Sequence, residues 1–145
     1  MKYQTGRVGR VVVARFDDGD DVLKGIGDIS KKENIRSGVV YLVGGMKGGS
    51  FVVGPQDETT MPPKPVWRGL GESHEILAFG TIFYEGEEPK IHMHGAFGKG
   101  DSVKVGCLRK DSETFLILEA VIMELEGINA TRELDPSVGL PLLKL

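Results

Sequence analysis

Hydrophobic and polar positions alternate or cluster in short runs along most of this chain, and only one stretch repeats at helical spacing. Val8 to Phe16 is short and β-branched, which predicts a strand. Asp17-Asp18-Gly19-Asp20-Asp21 then offers N-cap residues and negative charge where a helix begins. Val22, Leu23, Ile26 and Ile29 follow at helical spacing and predict one amphipathic helix to about Asn34. Gly25 and Gly27 inside it each cost about 1 kcal/mol against alanine, and point to close packing on a sheet.

Gly38 to Val43 is a second apolar strand and Ser50 to Val53 a short third. Gly54 to Arg68 holds four of the seven prolines and reads as an excursion without regular structure. Four strand-like runs follow: Glu75 to Tyr84, Pro89 to Phe97, Val103 to Leu108 and Thr114 to Leu125. The turns between them predict an antiparallel meander. The apolar ending Leu140-Pro141-Leu142-Leu143-Lys144-Leu145 should dock on its own sheet or on a neighbouring subunit. The expected fold class is α+β, a single domain over residues 1–145 with a mostly antiparallel sheet and one main helix.

Composition narrows this further. A chain of 145 residues with 40% hydrophobic and 27% charged residues can bury a core without staples. Its 21 glycines argue against a helical bundle. The lone cysteine, Cys107, cannot form an intrachain disulfide, which suggests a reducing compartment. No run of about 18 apolar residues predicts a membrane span, and the first residues do not resemble a signal peptide, so the cytoplasm is the expected location. A net charge of −3 weighs against tight, nonspecific binding to nucleic acid.

The candidate chemistry centres on Ile91-His92-Met93-His94-Gly95. Residues i and i+2 of a strand share a face, with Cα atoms about 6.6 Å apart. Two imidazoles so placed can converge on one ion; equally, they can be hydrogen-bonded partners at a sheet edge. A zinc site needs a third protein ligand, for which His74, Cys107, Glu75 and Asp101 are the candidates. Pairing Tyr84 with Pro89 sets Phe79 and Thr81 opposite His94 and His92. Glu75 then shares the histidines' face and His74 points away, although a one-residue slip reverses this. His74 ranks slightly ahead of Cys107 because the thiol must ionise, and burial as a small hydrophobe explains Cys107 equally well.

Other signals carry less. Gly44-Gly45-Met46-Lys47-Gly48-Gly49-Ser50 lacks the ending of a phosphate loop and reads as a tight turn or bulge. Trp67, in the proline-rich stretch, reads as a cover over a core edge.

The second half also resembles a known family. Gly71 to Ile82 (GESHEILAFGTI), Ile91 to Gly98 (IHMHGAFG), Val105-Gly106-Cys107-Leu108 and Glu119-Ala120-Val121-Ile122 are similar to the PPC, or plants and prokaryotes conserved, domain. The opening strand, turn and helix, and Arg132 to Leu140, extend the likeness over nearly the whole chain. The resemblance implies an α+β domain assembled as a homotrimer and described as DNA-binding. It also implies a histidine where this chain carries Cys107, so Cys107 either substitutes as a ligand or leaves that place to His74. No Arg-Gly-Arg-Pro core of an AT-hook is present, so the DNA anchor of the plant members is missing.

Three functions follow as expectations. The first is a metal-binding homotrimer of regulatory or assembly character, with zinc held by His92, His94 and either His74 or Cys107, and with no defined reaction. The second is a DNA-binding protein without an AT-hook. The third is a zinc-dependent hydrolase in which Glu75 or Glu72 serves as general base to a metal-bound water.

Overall fold

The computed structural model describes residues 1–145. The elements run β1 (Arg7–Asp17), α1 (Val22–Lys32), β2 (Ser37–Met46), β3 (Gly49–Pro55), β4 (Pro65–Leu70), β5 (His74–Glu85), β6 (Glu88–Lys99), β7 (Ser102–Lys110), β8 (Thr114–Glu126), β9 (Thr131–Asp135) and β10 (Leu140–Lys144). The fold is α+β, one helix on a large, almost wholly antiparallel sheet. No helix is long and apolar enough to cross a membrane.

The helix begins where the acidic turn predicts. Asp21 is its N-cap and accepts from the Lys24 backbone N–H at 3.0 Å, while Lys31 and Lys32 sit favourably in the last turn. Val22 and Ile26 are fully buried in the core with Phe16, Ile82 and Ile122. Gly25 lies against the Phe16 ring, where a methyl group would collide with the aromatic edge. The close packing expected at this glycine is present.

Strand order is β1-β8-β2-β5-β6-β7-β3-β4. The meander expected of the second half holds for β5, β6 and β7 and then breaks. β8 crosses back to lie between β1 and β2, because its apolar residues complete the core around Val40, Leu118 and Ile122. The proline-rich segment also departs from expectation at its end. Pro65–Leu70 forms β4, and it does so as the outermost strand, where a proline that cannot donate is tolerated. The C-terminal residues form a hairpin of β9 and β10, held to the sheet by one parallel bridge between Tyr84 and Thr131.

Strand alternation gives the sheet two unlike faces. Along β5, Ile76, Ala78 and Ile82 are buried on the helix side, whereas Glu75, Leu77 and Phe79 are exposed. On that open face one register row crosses all eight strands of the path: Val13, Val121, Tyr41, Phe79, His94, Cys107, Val52 and Trp67. The row runs apolar from one edge, meets the histidine strand, and ends on the tryptophan of the far edge.

Candidate metal centre

The β5–β6 hairpin fixes the register that positions the site. Tyr84 pairs with Pro89, Phe79 with His94 and Thr81 with His92, as the tight turn predicts. Met93 and Gly95 face the core, so His92 and His94 project together from the open face. The glycines beneath them are required by packing. Gly95 pairs with Gly106, and a Cβ on Gly106 would stand 2.6 Å from the Phe51 ring and 2.7 Å from the Val52 carbonyl. Phe51 and Phe97 stack under these strands with ring centroids 4.9 Å apart.

The two imidazole Nε2 atoms are 3.2 Å apart. Two nitrogens bound to one zinc at about 2.0–2.1 Å stand about 3.3–3.4 Å apart at the tetrahedral angle. The histidines therefore already hold close to ligand spacing. Cys107 pairs directly with His94, and its Sγ lies with both imidazoles in one group whose donor atoms are all within 4.8 Å of one another. Two imidazole nitrogens and a sulfur suit a borderline ion such as zinc.

His74, ranked ahead of Cys107 on sequence, is not brought to this group. It stands five residues from Phe79 along β5, about 17 Å at strand rise, and faces the core side. There it is 6% exposed, and its Nδ1 is 2.7 Å from the Glu72 carbonyl, to which the ring N–H donates. The reason is the alternation itself: the register that joins His92 and His94 to Phe79 turns even-numbered β5 residues inward. Glu75 shares the histidines' face but pairs with Gly98, four residues up the strand from His94. Asp101 lies in the β6–β7 turn. Glu72 is tied to Lys99 at 2.6 Å. None of these acids joins the cluster.

The surroundings are positively charged. Arg109 lies two residues beyond Cys107 on the same face, and continuing the β6–β7 register sets it beside His92. Arg132, on β9, reaches Thr81, the partner of His92, with Nη2 3.4 Å from its Oγ1. Burial lowers the His92 pKa from its ordinary value, and Arg132, His94 and Arg109 lower it further. Each of these influences favours the neutral imidazole, the form that binds metal. Burial raises the Cys107 pKa, opposed by the charge of Arg109, a backbone hydrogen bond at Met93 and the charge of Arg132. A bound cation would supply the remaining drive to thiolate.

One side of the cluster opens into a cleft of about 490 Å³, with His94, Cys107, Arg109, Trp67, Leu140 and prolines of the excursion along its walls. Sequence reading missed Arg109 and Arg132 as neighbours of the histidines. The signal for Arg109 was its i+2 spacing from Cys107; for Arg132 there was none, because the hairpin that carries it was not foreseen.

Three comparisons bear on identity. No curated protein matches the chain. Among solved structures, a metal-containing protein from Archaeoglobus fulgidus superposes with a TM-score of 0.86 at 24% identity, covering 100% of both chains. A plant- and prokaryote-conserved protein from Pyrococcus horikoshii gives 0.86 at 23% identity, over 100% of this chain and 98% of that one. A protein from Ralstonia eutropha, described as a candidate DNA-binding protein, gives 0.77 at 21% identity over 92% and 90%. These likenesses establish a shared fold. The family model for the Plants and Prokaryotes Conserved (PCC) domain matches residues 3–126. With the His-x-His-Gly strand and the sheet order now in place, the chain belongs to the Plants and Prokaryotes Conserved domain family.

Proposed function

We propose that this protein is a zinc-binding homotrimer of regulatory or assembly character, acting as one domain over residues 1–145, with His92, His94 and Cys107 as the metal ligands. The observation that carries the reading is the 3.2 Å separation of the two imidazole nitrogens with Cys107 paired beside them. The metal-containing relative from Archaeoglobus fulgidus supports it. Zinc, when bound, supplies a Lewis-acidic centre and drives Cys107 to thiolate. The residues hold it on rigid strands, so little ordering cost opposes binding. Elemental analysis of purified protein tests the reading, with about one zinc per chain expected.

Trimer assembly is supported by the open face. Val13, Leu77 and Val105 are 74%, 67% and 62% exposed there, beside Tyr41, Val43 and Phe79. An apolar sheet face of this extent calls for a partner, and a second and third copy of the chain provide one. Light scattering at micromolar concentration should give about three times the mass of one chain; a monomer would oppose it.

A second reading, binding to DNA, is favoured by the description of the Ralstonia eutropha relative. Ten of the 18 lysines and arginines are engaged by carboxylates, leaving eight, and Arg68, Lys104, Arg109 and Lys110 of these lie on β4 and β7. So few phosphate contacts would give weak association that is lost at moderate salt. A gel shift at about 150 mM salt discriminates: no stable complex is expected. Hydrolysis is the weaker alternative, because neither Glu72 nor Glu75 stands where it could take a proton from a metal-bound water.

A further inference from the structure

The cleft beside the histidines has the wrong charge balance to stand alone. Arg109 and Arg132 both lack a carboxylate partner, unlike Arg7, Arg10, Arg15 and Arg36. Their charges act on each other as well as on His92 and Cys107, and no carboxylate lines the cleft to offset them. A divalent ion on one thiolate and two neutral imidazoles keeps one net positive charge, and two guanidiniums add to it. Like charges gathered at one end of the cleft, with no carboxylate beside them, favour an anion there.

The walls give that anion a body. Trp67 and the prolines of the β3–β4 excursion make one side apolar, with Leu140 of the C-terminal hairpin closing it. Lys110 places its Nζ 5.7 Å from the centroid of the Trp67 ring, a further cation at the rim. The volume, about 490 Å³, is in the range of small-ligand sites.

We propose that this cleft binds a small organic carboxylate. Its apolar or aromatic body lies against Trp67 and the prolines, and its carboxylate is held by Arg109, which lines the cleft beside His94 and Cys107, with Arg132, at Thr81 opposite His92, adding positive charge from outside the cleft. Guanidinium forks match carboxylate oxygens two to two, which separates a carboxylate from a neutral isostere. Three protein ligands would leave a bound zinc able to take a further oxygen ligand, and two of the three, His94 and Cys107, line the cleft. This inference rests on the metal reading for its tightest mode only, since the arginines and the apolar wall act without the ion.

Trp67 is the only tryptophan, so its fluorescence reports the cleft directly. Full-length protein, zinc-loaded and zinc-stripped, would be titrated with benzoate, with uncharged benzamide and with inorganic phosphate. Zinc content is measured separately on each sample. Benzoate should give a saturable change at least about tenfold tighter than benzamide or phosphate, Arg109→Gln should weaken it about tenfold or more, and Arg132→Gln should weaken it by a smaller factor. Lys32→Gln, on the exposed side of α1, should leave it unchanged. Stripping zinc should weaken benzoate without abolishing the dependence on arginine. If the protein holds no zinc yet binds benzoate through the arginines, the metal reading fails and the cleft stands. If zinc is bound but benzoate binds no better than benzamide, or the arginine variants match the parent, the proposal is overturned.

Discussion

His94 and Cys107 face each other as a directly opposed pair on β6 and β7, at the point where the apolar row of the open face gives way to the cleft. Directly opposed residues of antiparallel strands have Cβ atoms about 4.5–5.5 Å apart, close enough for a thiol and an imidazole to share one ion. With His92 two residues away, three donors arise from two strands of one meander. Nothing outside β6 and β7 is needed to build the set.

This predicts which cysteine and histidine variants lose metal. Cys107→Ala should lower zinc affinity by a factor of about ten to a hundred or more, leaving two ligands where structural sites use four and catalytic sites three. His74→Ala should keep its zinc, because that ring is occupied with the Glu72 carbonyl on the other side of the sheet. Zinc content after dialysis against a competing chelator checks both, and the reverse pattern would contradict the assignment.

The open face predicts the weak point of the proposed trimer. Leu77→Glu with Phe79→Glu puts two charges at the centre of the exposed apolar patch without touching the core, which lies on the opposite side of β5. Light scattering should then fall to the mass of one chain while circular dichroism stays native. A variant that retains the parent mass would place the interface elsewhere.

Packing beneath the site predicts a stability cost. Gly106→Ala brings a methyl group into the Phe51 ring and the Val52 carbonyl, a collision in which the backbone must move. Overpacking of this kind costs about 1–3 kcal/mol. In a chain of this size that lowers the melting temperature by several degrees, readable by calorimetry. An unchanged melting temperature would show the strand pair to be looser than described.

The excursion that walls the cleft carries its own pH dependence. Asp57 accepts from the Thr60 and Thr59 hydroxyls and the Thr59 backbone N–H, and these bonds hold its carboxyl at about 2, below the ordinary 3.8. A folded-state value below the unfolded one means the stabilisation is whole above about pH 4 and is lost as the pH falls toward 2. Carbon-detected NMR should follow the Asp57 carboxyl titrating near pH 2, whereas a midpoint near 4 would mean the turn is not formed. In Asp57→Asn, stability should fall less between pH 5 and 2 than in the parent.

Much of the site could be read in the chain, for identifiable reasons. Pairing Tyr84 with Pro89 across the turn puts Phe79 opposite His94, and the structure has that register, although a one-residue slip in the turn would reverse the faces. The same alternation, carried one step further, removes His74 from the histidines' face, yet preference for an imidazole over a buried thiol ranked it first. Cys107 was harder to place because its partner depends on where the second hairpin turns, and that turn, at Gly100 and Asp101, admits more than one register. The return of β8 between β1 and β2, the edge position of β4 and the docking of the β9–β10 hairpin beside β5 are long-range placements with no local signal. Arg132 belongs to the last of these, which is why the charge beside His92 was invisible in the sequence.

The most direct test of the metal centre is the zinc-to-chain ratio of purified protein, measured for the parent and for His92→Ala/His94→Ala side by side. The parent should carry about one zinc per chain, and the double variant close to none while remaining folded and in the parent's oligomeric state. A double variant that still holds one zinc per chain, or a parent that takes up none when zinc is offered, would contradict the account.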